Sequence, residues 1–440
     1  MPTGWERIAE KARQEPSVRF TSLAHHLTPT GLWRAVHHIP SSTAPGTDGI
    51  TQPEAVDTFA TWAEPMLQAV HRRGYHPPAV RRVWIPKPGK TAKRPLGVPS
   101  VADRALQRCV AEVLGAIYEE DFLPCSCGGR PGRGAHHALA TLNEILAGKR
   151  VSWVLEADLK NFFGSLDHQW MMRFVEHRVG DPRLLSLIRR WWKVGVLEAG
   201  QVHASTEGTP QGGSISVLLS NVYLHYVLDL WFAKAIQPKL RGEGYLVRYL
   251  DDFVVCCAHR EDAVRVHAAL SQRLRKFHLE FEPTKTRLIA FGRFAARNAG
   301  RQGRKKPDTL YFLGFTHYCT RNRHGGFQVG RKTEKTRLRR SLSHLHDTMR
   351  HMRHDPIETQ VQVLNQLLQG DYAYYGMAGT MRALIHVYQA TESYWHRMLG
   401  SRSQKSYVTW AEFQALKTRF PLKRPKRFIS YKDLPRYAIL

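Results

Sequence analysis

The stretch Val247-Arg248-Tyr249-Leu250-Asp251-Asp252-Phe253-Val254-Val255 places two adjacent carboxylates between two short apolar runs. The apolar flanks predict two strands, and the Asp-Asp pair suits the turn between them. Well upstream, Trp153-Val154-Leu155-Glu156-Ala157-Asp158 is another apolar run that ends in a carboxylate. Three acids at strand ends in a very basic protein indicate a two-metal site for nucleotidyl transfer.

Each acid also has a purely structural interpretation. An Asp in a turn is usually only a turn residue, and Asp158 could cap a helix. Repulsion argues against that interpretation, because carboxylates a few ångströms apart beside apolar strands cannot all ionise cheaply without a counter-cation. Mg²⁺ prefers such oxygen ligands and keeps room for substrate phosphates.

The charge of the chain indicates a polyanionic partner. The 440 residues carry a formal net charge of +28, which favours nucleic acid or an anionic membrane surface. No stretch is apolar enough to span a bilayer, since the best candidate, 216–233, contains Asn221, His225 and Asp229. The six cysteines lack zinc-ligand spacing and are interpreted as reduced thiols. We therefore expect a cytoplasmic protein, nucleoid-associated if it binds DNA, and no membrane partner.

The order of predicted elements divides the chain into a mixed α/β part and a helical part. The expected units are an N-terminal extension (1–50), a mixed α/β domain (51–325), a helical domain (326–400) and a basic, aromatic C-terminal segment (401–440). Residues 293–306 are rich in Arg, Gly and Ala and predict a mobile basic loop.

Several motifs occur in a fixed order along the chain. They are Arg130-Pro131-Gly132-Arg133, Asp158-Leu159-Lys160-Asn161-Phe162-Phe163, Gly208-Thr209-Pro210-Gln211-Gly212-Gly213, Tyr249-Leu250-Asp251-Asp252 and Tyr311-Phe312-Leu313-Gly314-Phe315. This order resembles the reverse transcriptase of bacterial group II introns and its free-standing relatives. The resemblance implies an α/β right-hand polymerase fold, with fingers and palm followed by an α-helical thumb, or X domain. It also implies that 401–440 binds nucleic acid.

The resemblance also implies a set of site residues. Asp158, Asp251 and Asp252 would be catalytic and would hold two Mg²⁺ ions, or Mn²⁺ as a substitute, with Leu159 as a further member of the metal site. The residues expected to bind the incoming dNTP are Lys87, Arg94, Phe163, Gln211 and Lys285. Among them Phe163 would exclude a 2′-hydroxyl, although without the resemblance it would be interpreted as a core aromatic.

The expected partners are an RNA template, a DNA or RNA primer and dNTPs. A structured intron RNA and a second copy of the chain are further candidate partners. Arg130 and Arg133 would hold the template strand, although a plain turn is the alternative. Tyr249 and Leu250 would lie beside the primer terminus.

The chain departs from the family pattern at four places. Leu250 stands where Ala is usual, Gly128-Gly129 replaces Tyr-Gly-Phe, Val217 replaces Pro, and Gly164 replaces Asp. These changes leave the metal ligands in place, but they leave open whether the enzyme serves intron mobility or a free-standing host role such as DNA repair.

The sequence therefore predicts an RNA-directed DNA polymerase that extends a primer 3′-hydroxyl. The alternatives are a maturase-type RNA-binding protein that assists splicing, a phage-defence reverse transcriptase and an RNA-directed RNA polymerase. The intact acids argue against the first alternative, and Phe163 as a sugar gate argues against the last.

Overall fold

A computed structural model describes residues 4–86, 93–194, 196–198, 201–203, 213–301, 303–403 and 407–440. The helices are α1 Gly4–Gln14, α2 Pro29–His37, α3 Gln52–Asp57, α4 Phe59–His71, α5 Val101–Asp121, α6 Ala135–Gly148, α7 His168–Arg178, α8 Pro182–Lys193, α9 Ser216–Leu224, α10 Arg260–Lys276, α11 Ala295–Arg301, α12 Lys335–His351, α13 Ile357–Tyr375, α14 Met381–Leu399, α15 Trp410–Arg419 and α16 Leu434–Tyr437. The strands are β1 Val80–Pro86, β2 Lys93–Val98, β3 Trp153–Ala157, β4 Val196–Glu198, β5 Gln201–His203, β6 Gly244–Tyr249, β7 Asp252–Cys257, β8 Arg287–Ala290, β9 Leu310–Phe312, β10 Phe315–Arg321 and β11 Phe327–Thr333.

A central antiparallel sheet with the strand order β6-β7-β3-β8 carries the predicted acids. Successive strand residues point to opposite faces, and the apolar residues of β3 and β7 divide accordingly. Leu155 and Val255 join the large core formed with the N-terminal helices, whereas Val154 and Val254 join a second core that includes α6. Because both faces are buried, β7 is a continuous apolar run, and one residue of slippage would move every side chain to the other core.

Two smaller sheets flank this unit. One has the order β2-β1-β4-β5, with β1 and β4 parallel, and the other is the antiparallel set β11-β10-β9. Glu156 in the central sheet joins the second small sheet, because its carboxylate accepts bonds from Arg287 at 2.6 Å and from the Tyr311 amide at 3.3 Å. The β9–β10 hairpin is thereby fixed beside the acid-bearing end of β3.

The N-terminal residues contribute to the large core. Helix α1 packs along α5, and Ile8 and Ala12 are buried. The buried Arg178 pairs with Asp121 at 3.0 Å and donates to the carbonyl oxygens of Ala12, Glu15 and Val18 at the end of α1. A charged side chain thus satisfies the carbonyls that a helix leaves without partners at its C-terminus.

The C-terminal residues connect the helical unit back to the α/β unit. Phe413 of α15 is fully buried against the α12–α14 core, where its ring meets Trp395 at 5.3 Å. The following segment pairs Ile429 with Met377, and the Ile439 amide donates to Thr141 Oγ1 of α6 at 2.8 Å. The basic tail therefore contributes to two cores.

Two sequence expectations about local structure are wrong. The segment 293–306, expected to be a loop, contains α11, which buries Ala295 and Ala299 on one side. The expected turn at Asp251-Asp252 is displaced by one residue, because Asp252 already pairs with Tyr249 as the first residue of β7. In addition, the expected boundary at 326 falls inside the β10–β11 hairpin. The described helices include none with the length and apolar character that a membrane span requires.

Candidate active site

The strand register brings the three predicted acids to one end of the central sheet. Ala157 pairs with Phe253 in the antiparallel β3–β7 ladder, so the next position places Asp158 opposite Asp252. Leu250 and Asp251 form the two-residue turn between β6 and β7, so Asp251 comes immediately before Asp252, the first residue of β7. One acid thus follows β3 and another begins β7, and because these adjacent strands are antiparallel, the ladder brings both carboxylates to the same end of the sheet.

At this end of the central sheet, positive side chains balance the charges of the acids only in part. The pKa of Asp252 is raised to about 7, first by removal from water and then by the negative charges of Asp251 and Asp158. Lys285 and Arg337 lower it only partly. Asp252 nevertheless remains partly exposed to solvent, so a cation can reach its carboxylate.

Lys285 supplies one positive charge in the structure. Its ammonium group forms an ion pair with Asp158 Oδ2, and its side chain is 60 % exposed. Burial lowers the pKa of Lys285, but the bond to Asp158 and the charges of Asp158, Asp252 and Glu282 raise it overall. Lys285 therefore balances the charge of Asp158 directly, and it acts on Asp252 through its charge.

The donor set suits Mg²⁺ without forming a complete cage. Among the residues that the structure describes, no three His, Cys, Asp or Glu side chains already converge as metal ligands. Mg²⁺ is usually held by one or two carboxylates together with substrate phosphates and water. Asp158, Asp251 and Asp252 fit that pattern. Leu159 has a buried side chain with no ligand atom, so only its carbonyl oxygen could serve a metal.

The turn Tyr249–Asp252, named the catalytic turn after the role predicted for its acids, has an unusual backbone. Leu250 adopts a left-handed conformation with φ of +57°, a region that costs a non-glycine residue roughly 1–2 kcal/mol. Such a conformation persists only where the surroundings hold it. One contact that holds this turn comes from Arg248, which lies one residue before it.

Arg248 forms a fully buried hydrogen-bond network. Its guanidinium donates to both carboxylate oxygens of Asp229, at 2.8 and 2.5 Å, and neither side chain is exposed. Burial lowers the pKa of Arg248, but the Asp229 carboxylate raises it overall, so the guanidinium stays charged. The remaining N–H groups donate to Asn221 Oδ1 at 2.9 Å, to Ser126 Oγ at 2.8 Å and to the Leu250 carbonyl at 3.1 Å. All five donors of the guanidinium are used.

The same network fixes the loop that precedes Arg130. The Arg248 backbone receives a bond from the Cys127 amide at 2.9 Å and donates to the Cys125 carbonyl at 2.8 Å. Asn221 of α9 donates to the Gly128 carbonyl at 2.8 Å. Three segments that are distant in sequence, around residues 128, 221 and 250, therefore meet behind the catalytic turn.

The predicted nucleotide-binding residues divide into two groups. Phe163 is partly buried on the large core, with its ring 5.3 Å from that of Phe162, and Lys285 lies on Asp158. Lys87, Gln211 and the side chain of Arg94 lie outside the described residues. Their roles stay predictions.

The two arginines predicted to hold the template are engaged with the protein itself. Arg130 is 6 % exposed, pairs with Glu119 at 2.8 Å and donates to the Leu123 and Ser126 carbonyls. Arg133 also donates to the Ser126 carbonyl, at 3.2 Å. This placement favours the plain structural interpretation for Arg130, whose guanidinium orders the loop.

Residues of the helical unit also lie near enough to Asp252 to interact with its charge, and no local sequence pattern indicates them. Tyr374 of α13 donates to the Leu313 carbonyl at 2.9 Å. Burial, then Tyr375 and Tyr249, and finally the charge of Asp252 raise the pKa of Tyr374 to about 12. Arg337 of α12 acts on Asp252 in the opposite direction. Only the folded chain brings these helices to the end of the central sheet.

Comparison with known proteins places this site in a family. The reverse transcriptase (RNA-dependent DNA polymerase) family matches residues 85–317, more than half of the chain and a range that includes all three acids. The group II intron-encoded protein LtrA of Lactococcus lactis subsp. cremoris is 34 % identical over 230 residues, which are 51 % of this chain and 38 % of that protein. Protein YkfC of Escherichia coli K12 is 36 % identical over 247 residues, 54 % of this chain and 64 % of that protein. A more distant relative is the mitochondrial nuclear intron maturase 3 of Arabidopsis thaliana, 26 % identical over 181 residues, which are 36 % of this chain and 25 % of that protein.

The matches span 38 % of LtrA and 64 % of YkfC, so the chain covers less than two thirds of either relative. They confirm the resemblance to group II intron-type enzymes that the ordered motifs indicated. The family match and the acid-bearing end of the central sheet agree in position, and we conclude that this chain belongs to the reverse transcriptase family.

Proposed function

We propose that this protein is an RNA-directed DNA polymerase that adds dNTPs to a primer 3′-hydroxyl on an RNA template. The observation that carries the proposal is the meeting of Asp158, Asp251 and Asp252 at one end of the central sheet, with the pKa of Asp252 raised to about 7. An acid cluster of this kind requires cations, and phosphoryl transfer uses cations to balance substrate charge.

The architecture supports a right-hand arrangement. In this proposal the central sheet is the palm, the β1–β2 hairpin with the N-terminal helices forms the fingers, and α12–α14 form the thumb. The exposed cations of α12, such as Arg339 and Arg350, would face the product duplex. Duplexes with RNA are recognised through shape and backbone phosphates, so dispersed charge is sufficient.

The chain's own residues would act mainly by positioning and electrostatics. Asp158, Asp251 and Asp252 would hold two Mg²⁺ ions, which activate the primer hydroxyl and neutralise charge on the triphosphate when they are bound. Lys285 would leave Asp158 for the triphosphate, because its side chain is long and largely exposed. Arg248 would hold the catalytic turn in a fixed position relative to β3 through its bond to the Leu250 carbonyl.

Primer extension with matched variants tests this proposal. Asp251→Asn with Asp252→Asn should abolish dNTP addition on an RNA template and leave template-primer binding nearly intact. Asp57→Asn with Glu64→Gln removes the same two charges from exposed positions on α3 and α4, and it should preserve synthesis. Equal activity of both double variants would overturn the proposal.

The rival functions appear as other outcomes of the same assays. Splicing assistance that survives the loss of Asp251 and Asp252 would favour a maturase-type RNA-binding role. Preference for rNTPs over dNTPs would favour an RNA-directed RNA polymerase.

A further inference from the structure

Three departures from the family pattern meet in space. Gly128-Gly129, Val217 and Leu250 lie far apart in the sequence but close together in the structure, beside the catalytic turn. Gly128 faces the turn backbone. A Cβ added there would lie 2.6 Å from the Leu250 amide nitrogen and 2.9 Å from the Tyr249 carbonyl carbon. Any side chain at 128 would therefore push the turn itself.

Gly129 faces side chains instead. Its φ is +67°, and an added Cβ would lie 2.4 Å from Val217 Cγ1 and 3.1 Å from Leu250 Cδ2. Val217 stands in the first turn of α9, where a β-branched side chain has one strongly preferred rotamer and cannot easily rotate away. The space that a side chain at 129 needs is thus occupied by the two residues that replace the usual Pro and Ala.

This arrangement also explains where the Leu250 side chain lies. The family resemblance implies a position beside the primer terminus. Leu250 Cγ is 2.9 Å from the position of a Gly128 Cβ, and its Cδ2 is close to that of Gly129. The side chain therefore packs on the protein's own loop at Gly128-Gly129.

We propose that Gly129, Val217 and Leu250 form a single packing contact that positions the catalytic turn, and with it Asp251 and Asp252. The three are positioning residues, since they act on the reacting groups only through the turn. The catalytic consequence rests on the proposed polymerase function, but the packing contact itself does not.

A strain-matched pair of variants tests the contact. Gly132 has φ of +68° and nothing within 4 Å of an added Cβ, so Gly132→Ala carries the same backbone strain without the clash. Gly129→Ala should lower the denaturation midpoint further than Gly132→Ala. Val217→Ala should restore most of the difference in Gly129→Ala and nothing in Gly132→Ala. Leu250→Ala should restore less, because its contact is 3.1 Å rather than 2.4 Å.

Primer extension at saturating substrates tests the positioning role. Gly129→Ala should lower kcat by about tenfold or more with little change in template-primer affinity, and Val217→Ala in the same chain should return kcat to within about threefold of the parent. A loss of stability without this rescue of kcat would reduce the contact to a purely structural one and overturn the proposal. Equal denaturation midpoints for Gly129→Ala and Gly132→Ala would overturn it as well. If no variant or parent extends primers, the polymerase function fails, and the denaturation series still decides whether the contact exists.

Discussion

Arg248 offers the sharpest test of how the fold holds the catalytic turn. Arg248→Lys keeps the positive charge but replaces five fixed N–H donors with at most three, so at least two of the contacts to Asp229, Asn221, Ser126 and the Leu250 carbonyl are lost. Hydrogen bonds to charged groups contribute about 1.5–3 kcal/mol each. Two lost bonds therefore amount to about 3–6 kcal/mol.

Thermal denaturation measures the structural part of this prediction. For domains of about 150–250 residues, 1 kcal/mol shifts Tm by about 2–4 °C. Arg248→Lys should thus lower Tm by at least about 6 °C. Arg248→Met should be no better than Arg248→Lys, because it leaves Asp229 buried without a cation, which costs about 3–5 kcal/mol.

A paired variant separates stability from catalysis. Arg248→Met with Asp229→Leu removes both buried charges, and such replacements by apolar residues are often neutral or stabilising. Its Tm should exceed that of either single variant. Its kcat should remain low, because no side chain holds the Leu250 carbonyl any longer. If Arg248→Lys keeps the parental Tm and kcat, or if the paired variant recovers full kcat, the network does not position the turn.

Three further predictions concern the acid-bearing end of the sheet. Lys285→Met removes the cation from Asp158, so calorimetry should show tighter binding of divalent cations to the substrate-free protein, together with a higher KM for dNTP; unchanged cation affinity would exclude the competition. Because the pKa of Asp252 is raised to about 7, a divalent cation must displace a proton from Asp252 below that pH. The affinity for the cation should therefore fall by up to about tenfold per pH unit as the pH drops below about 7. Proton release measured in buffers of different ionisation enthalpy checks this prediction, and an affinity that does not depend on pH contradicts it. Phe163→Ala should raise ribonucleotide incorporation, whereas Phe162→Ala, at a position only 2 % exposed, should mainly lower Tm; unchanged discrimination in the first variant would make Phe163 a core aromatic.

The sequence could predict the acids because their signal is local. Apolar runs that end in carboxylates specify strands and their ends, and the buried ladder then fixes the register. The turn was predicted one residue late, since Asp-Asp fits turn statistics while Leu at a positive φ does not. Tertiary contacts hold Leu250 against its own preference, and no local pattern reports such contacts.

Arg248 and Asp229 escaped prediction for the opposite reason. An Arg in a strand and an Asp late in a long apolar helix each look like a surface charge, and nothing in the spacing of 229 and 248 indicates a pair. Asp229 closes a π-helical turn, His225–Asp229, that continues α9. Such turns are rare and are frequent at functional sites. The pairing becomes visible only when the helix and the sheet are packed together.

Leu250 shows how the structure changes the meaning of a sequence departure. Considered alone, a Leu in place of Ala suggests three extra carbons beside the primer, and thus a role in holding short primer ends. Its side chain instead fills the space left by Gly128-Gly129, so the extra carbons stabilise the turn by packing on that loop. Leu250→Ala should then affect primers of every paired length by a similar factor, because a shifted turn moves the carboxylates equally for all of them. An effect confined to primers with few paired bases would instead show that Leu250 contacts the primer end directly. The ratio of extension rates across primer lengths therefore distinguishes a residue that recognises the substrate from one that positions the catalytic groups.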